Sequence, residues 1–186
     1  LNKNFQTLLA YQLMSHTLGT DSSEDVLVYE ETDNTFYNHV KRSRSGKYIE
    51  LTHQNTDTTE VQLLAADDPL AKFKPFLPRE VGHEYDIDHA DGRFFIRTNW
   101  QADNFRVMTV DLEHSADKSK WKEVIPHSES AMVRDIQAFD NWLVVGERKD
   151  GLRKVRVLAH DGNMDRYLEG SEEASVMWPA TNVNTD

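Results

Sequence analysis

The side chains most capable of chemistry crowd into one run, His83-Glu84-Tyr85-Asp86-Ile87-Asp88-His89. On an extended strand successive side chains point to opposite faces. Glu84, Asp86 and Asp88 therefore share one face, and His83, Tyr85, Ile87 and His89 the other. Three carboxylates spaced two residues apart form an acidic ladder. Such a ladder can steer cationic peptides through its field, ligate a hard cation, or accept backbone N–H groups from a neighbouring part of the fold. Nothing in the spacing supplies a ligand geometry, so no metal is assigned. A second acidic cluster, Tyr29-Glu30-Glu31-Thr32-Asp33, lies where a strand gives way to a loop. It reads as solvated loop or as bonding between sheets in preference to substrate contact. Lys41-Arg42-Ser43-Arg44 reads as a solvated basic loop tip, not a nucleic-acid patch.

Other catalytic chemistries lack their residues. The G-x-S-x-G turn that lifts a hydrolase nucleophile onto a strained elbow does not occur, and Ser45-Gly46 and Gly170-Ser171 have the wrong spacing. The histidines at 16, 39, 53, 83, 89, 114, 127 and 160 are scattered and form no H-E-x-x-H. The chain has no cysteine, which removes thiol nucleophiles, disulfides and Cys-ligated zinc. No catalytic residue and no cofactor is assigned within it. A net charge of −11 excludes the positive footprint of a nucleic-acid binder, suits solubility, and is compatible with a basic peptide partner. No apolar run approaches the about 20 residues of a membrane span, and a cytoplasmic setting is expected. The chain starts at Leu1, with no basic, apolar leader, and reads as a segment of a longer protein.

The elements that must position these residues are strands. Val26–Tyr29, Phe36–Lys41, Tyr48–His53 and Glu60–Leu64 are rich in β-branched and aromatic residues, with Ser43-Arg44-Ser45-Gly46 and Asn55-Thr56-Asp57 between them. Only 67–72 offers a helical turn. A repeat follows. Ser45-Gly46-Lys47-Tyr48-Ile49 resembles Asp91-Gly92-Arg93-Phe94-Phe95, 46 positions on, and Asp140-Asn141-Trp142-Leu143-Val144, a further 49 on. Asn141 replaces the glycine, and asparagine tolerates its left-handed backbone. Strands Tyr37–Val40, Tyr85–Asp88 and Arg134–Gln137 precede these turns, and Val107–Leu112 and Val155–Leu158 fill third-strand slots. Phe76-Leu77-Pro78 and Val124-Ile125-Pro126, 48 positions apart, and then Tyr167-Leu168, fill the fourth.

Four short strands every roughly 40–50 residues mark the blades of a β-propeller, where a plain β-sandwich lacks so constant a period. The expected fold is all-β. It is a partial β-propeller of about three full four-stranded antiparallel blades, at 35–80, 81–128 and 129–170, with the end of a preceding blade at 1–34 and the start of another at 171–186. The first strand of a blade lines the propeller's central channel, which would place the Glu84, Asp86 and Asp88 ladder there. Trp142, beside Leu143-Val144-Val145, reads as packing between blades, and Trp100 and Trp121 as packing or sugar-stacking residues.

Several stretches together resemble the propeller of the oligopeptidase B (protease II) branch of the prolyl oligopeptidase family of serine peptidases. They are Leu18-Gly19-Thr20, Val28-Tyr29-Glu30-Glu31-Thr32-Asp33, Phe36-Tyr37, Phe76-Leu77-Pro78-Arg79, His83 to His89, and Trp142 to Arg148, in the family's order. The resemblance implies a propeller that caps a catalytic α/β-hydrolase domain outside this chain and admits only short peptides, cleaved after Lys or Arg. The partners it implies are that domain and short basic peptides. Gly146 departs from the family, which leads one to expect a carboxylate between Val145 and Glu147. A non-catalytic propeller serving as a binding scaffold is the competing reading. An open set of blades also leaves strand edges and apolar faces uncovered, so the isolated segment is expected to self-associate.

Overall fold

In the computed structural model, which describes residues 1–68, 71–170, 172 and 175–180, regular structure consists of strands and short 3-10 turns, as expected for an all-β chain. It divides into two units, Leu1–Arg42 with Lys47–Gly82, and Ser43–Gly46 with His83–Asp186.

The first unit holds two antiparallel sheets. One has β1 (Asn2–Lys3), β2 (Ala10–Ser15) and β3 (Val26–Glu30) in that order. The other has β4 (Tyr37–Arg42), β5 (Tyr48–Gln54), β6 (Thr59–Ala65) and β7 (Lys74–Pro75). Leu51, Val61, Leu63 and Leu64 are buried apolar positions of β5 and β6, joined by Phe36, Phe76 and Leu77 from the loops. The fourth strand, Lys74–Pro75, ends just before the Phe76-Leu77-Pro78 expected to form it. Pro75 lacks an N–H to extend the ladder, and Phe76 adds a last bond to the Val61 carbonyl (2.8 Å) before it and Leu77 turn into the core.

The second unit repeats the four-stranded pattern twice. Strands β8 (Tyr85–Ala90), β9 (Arg93–Thr98), β10 (Arg106–Val110) and β11 (Lys122–Ile125) form one sheet. Strands β12 (Ala131–Ala138), β13 (Trp142–Lys149), β14 (Leu152–Ala159) and β15 (Asp165–Tyr167) form the other. One core serves both: Phe95, Phe105, Val107 and Ile125 bury with Val133, Leu143, Val145 and Leu158. The third strand of the first sheet stops at Val110, and Leu112 opens a 3-10 turn instead of extending it.

Two expectations are corrected here. The β8–β9 turn places Asp91 (φ 50°) and Gly92 (φ 72°) in the left-handed region, the two-residue geometry that matches strand twist. Asn141 does not share it. Its carbonyl accepts the His160 N–H (3.0 Å), while Phe139 N–H closes the turn on the Trp142 carbonyl (2.7 Å). Trp142 is exposed, not packed between sheets: strand alternation sends Leu143 and Val145 into the core and the tryptophan out. The turn expected at 67–72 keeps one bond, Ala71 N–H to the Asp68 carbonyl (3.1 Å), while 69–70 lie outside the described residues. So do 171, 173–174 and 181–186 of the blade expected to start at 171.

Candidate functional site

Strand β8 alternates as its sequence dictates. Tyr85, Ile87 and His89 are buried, Asp86 is exposed and Asp88 mostly covered. The histidines of the run serve the interior. His83 lies within hydrogen-bond distance of the Thr98 hydroxyl (2.8 Å) and stacks on Tyr85, and His89 packs edge-on against Phe94.

The three ladder carboxylates meet three different fates. Glu84 is anchored by its backbone, whose N–H donates to the Asn99 side-chain oxygen (3.0 Å), and its carboxylate makes no hydrogen bond or ion pair among the described residues. Asp86 pairs with Arg97 across the ladder (2.8 Å). Asp88 turns to the neighbouring sheet, where its Oδ2 accepts the Ala138 N–H (2.8 Å). Backbone bonding to a neighbouring blade, one of the three readings of the ladder, is what Asp88 does.

Two arginines complete this surface: the sequence singled out Arg97 for no role and read Arg44 only as part of a solvated loop tip. Arg97 donates from Nε to the Val133 carbonyl (2.9 Å) and lays its guanidinium 3.5 Å from the Phe105 ring centre. Arg44 is not a solvated loop tip. Its Nε donates to the Ala138 carbonyl (3.2 Å) and stands 3.6 Å from Asp88, and its guanidinium covers the Phe139 ring. A guanidinium stacks on an aromatic face while still donating in its plane, so one side chain ties several elements.

The same positions recur on β12. Asp135 follows Asp86 by 49 residues, the interval between the two turns. Across the ladder Asp86 faces Arg97, but Asp135 faces Gly146. The Asp135 carboxylate leans over that glycine so closely that a Cβ there would lie 2.5 Å from its Oδ2. Position 146, where the resemblance implies a carboxylate, has one leaning over it from the adjacent strand. Solvent reaches Asp135, yet desolvation against the sheet raises its carboxyl above the ordinary Asp value, opposed by Arg97, Arg153 and Arg134. A bulge just before it makes Arg134 an extra residue in β12. Beside this pair opens a cavity of about 140 Å³ bordered by Arg153, Lys154, Met177 and Trp178. Gln137, 49 residues after Asp88, makes a side-chain bond of the opposite sense, donating to the Ala180 carbonyl (2.9 Å).

The first unit carries a separate buried network. Arg79 donates to Glu31 and Glu60 (2.6 Å each) and covers the Phe36 ring. Glu31 also accepts the Asp33 N–H and the Tyr29 hydroxyl, which makes it a tie between the two sheets and not a solvated loop residue. Burial works to raise the Glu31 carboxyl, but Arg79 and the Asp33 N–H together hold it below its ordinary value. His53, fully buried, sits 2.6 Å from the Asn38 side-chain oxygen and 3.8 Å from Glu31. Burial lowers its pKa, against the pull of Glu60 and Glu31. Of the sugar-stacking candidates, Trp121 is buried, donates to the Ser115 carbonyl and meets Trp100 edge-to-face.

Residues 2–185 match the family described as "Prolyl oligopeptidase, N-terminal beta-propeller domain". With the four antiparallel sheets, this makes the fold a partial β-propeller. Dipeptidyl aminopeptidase BI of Pseudoxanthomonas mexicana is 36% identical over 100% of this chain and 25% of its own length. Protease 2 of Moraxella lacunata is 31% identical over 83% of this chain and 22% of its own. Among solved structures, oligopeptidase B from Leishmania major superimposes with a TM-score of 0.84 at 27% identity, over 92% of this chain and 25% of that one. The chain thus spans about a quarter of the length of these relatives.

Proposed function

Because this chain belongs to the N-terminal β-propeller family of the prolyl oligopeptidases, we propose that it is the gating segment of a serine oligopeptidase. It admits short Lys- or Arg-containing peptides to an α/β-hydrolase domain that lies outside it. The observation that carries this reading is the match over residues 2–185 to a propeller that occupies only part of its relatives. The parent enzyme's chemistry is then acyl transfer through an activated serine, and this chain contributes selection, not reaction. In this reading Glu84 and Asp86, the latter through what charge its pairing with Arg97 leaves, act on a cationic peptide, and Asp88 serves mainly to hold two blades together. The cysteine-free composition fits work in the cytoplasm.

The experiment compares this chain with the enzyme that contains it, on a fluorogenic arginine ester and on a folded protein. The chain alone is expected to give no turnover, and the enzyme to cleave the ester and spare the folded protein. Turnover by the chain that a serine-directed inhibitor abolishes would overturn the assignment. Glu84→Gln with Asp86→Asn in the enzyme is expected to raise KM for basic peptides at low salt, with the effect shrinking as salt screens the charges.

A further inference from the structure

Successive sheets of the second unit carry the same cross-strand pair, filled differently. In the first, Arg97 answers Asp86 and reaches on to the Val133 carbonyl. In the second, Gly146 stands where the arginine would be, and the Asp135 carboxylate makes no hydrogen bond or ion pair among the described residues. The space beside them, about 140 Å³, exceeds by several times the roughly 30 Å³ share of one water. It accommodates the end of a long side chain. Trp178 borders it and is 65% exposed, which leaves its indole available to a cation.

We propose that the cavity formed by Asp135, Gly146 and Trp178 is a subsite for a basic side chain, a guanidinium or alkylammonium group supplied by a peptide. This rests on the reading of the chain as a peptide-selecting propeller. The entering group takes the role that Arg97 plays one blade earlier. It pairs with the carboxylate over Gly146 and lays its apolar stem or charged head against the indole. Arg134, Arg153 and Lys154 border the same cavity, none within ion-pair distance of Asp135, and so does Glu147, whose carboxylate is already held by Arg156 and Tyr167. The three basic residues weaken the attraction for a cation, yet an anion drawn by them would also meet the Asp135 carboxylate. The site therefore favours a long, planar, stackable cation over a small one.

The test is calorimetric titration of the chain with N-acetyl-arginine amide, against N-acetyl-citrulline amide as a neutral isostere and N-acetyl-glutamate amide as an anion. The arginine derivative is expected to bind about tenfold or more tightly than citrulline, as a charge-assisted pair requires. Asp135→Asn should remove that margin, and Gly146→Arg should abolish binding by supplying the arginine from within. Equal binding of citrulline, preference for the glutamate derivative, or unchanged affinity in Asp135→Asn would each overturn the site. The first two comparisons need no variant, so a misfolded mutant does not shelter the proposal. A parent enzyme indifferent to basic peptides would sink the gating reading while arginine still bound here, which keeps the two failures apart.

Discussion

The Asp88 carboxylate accepts the backbone N–H of Ala138 at 2.8 Å, so a residue on the first strand of one blade satisfies the first strand of the next. Removing it leaves a mostly covered N–H without that acceptor. Asp88→Ala is expected to destabilise the second unit by roughly 1–3 kcal/mol, read from urea unfolding. Asp88→Asn keeps a side-chain oxygen and should recover part of the loss. If Asp88→Ala instead leaves stability untouched and changes only the response to basic peptides, steering is its role.

Arg79 is the hub of the first unit, holding Glu31 and Glu60. Arg79→Met strands two buried carboxylates and should cost about 3 kcal/mol or more, since breaking one side of a buried pair leaves charge uncompensated. Arg79→Lys cannot reach both carboxylates with a fork and should fall between. A denaturation midpoint for Arg79→Met equal to wild type would refute the hub.

His53 and Glu31 give this unit a shared acid sensitivity. The His53 pKa is lowered below 6.5 by burial, so the unfolded chain takes up its proton first and stability falls as pH drops below about 6.5. Glu31 is also depressed, and its contribution is lost as pH falls further, through the carboxylate range. Urea midpoints from pH 8 down to 5 should decline, and His53→Gln should flatten that decline even if it lowers the midpoint overall. A His53→Gln profile parallel to wild type would remove histidine from the account.

Outer strands here differ in their protection. β7 ends in proline, β11 begins with lysine, and β15 is short and charged. By contrast β3 exposes Val26 (64%) and Leu27 (48%) along an edge. Such an edge invites pairing. The chain is expected to self-associate in light scattering, and Leu27→Lys should shift it toward monomer. A clean wild-type monomer at high concentration would count against this.

What the sequence disclosed and what it hid follow from distance along the chain. Alternation in His83 to His89 and the turn at Asp91-Gly92 are local, so period and turn chemistry reveal them. Arg44 finds Ala138 94 positions away, and no local pattern announces such a partner. Trp142 misled because an aromatic beside Leu143 and Val145 invites burial, while register alone decides which face it takes. Asp135 was within reach: it follows Asp86 by the spacing of the turns, but only the pairing with Gly146 exposes what is missing there.

The ties at Asp88 and Gln137 run in opposite senses, one side chain receiving a backbone proton and the other giving one. The two contacts are therefore cut to different keys. An aspartate copied into position 137 would set a pure acceptor opposite the Ala180 carbonyl, a mismatch that glutamine avoids by donating from its amide nitrogen. Repeated blades can look interchangeable, yet these two first strands differ, at one position each, in the sense of the bond they offer.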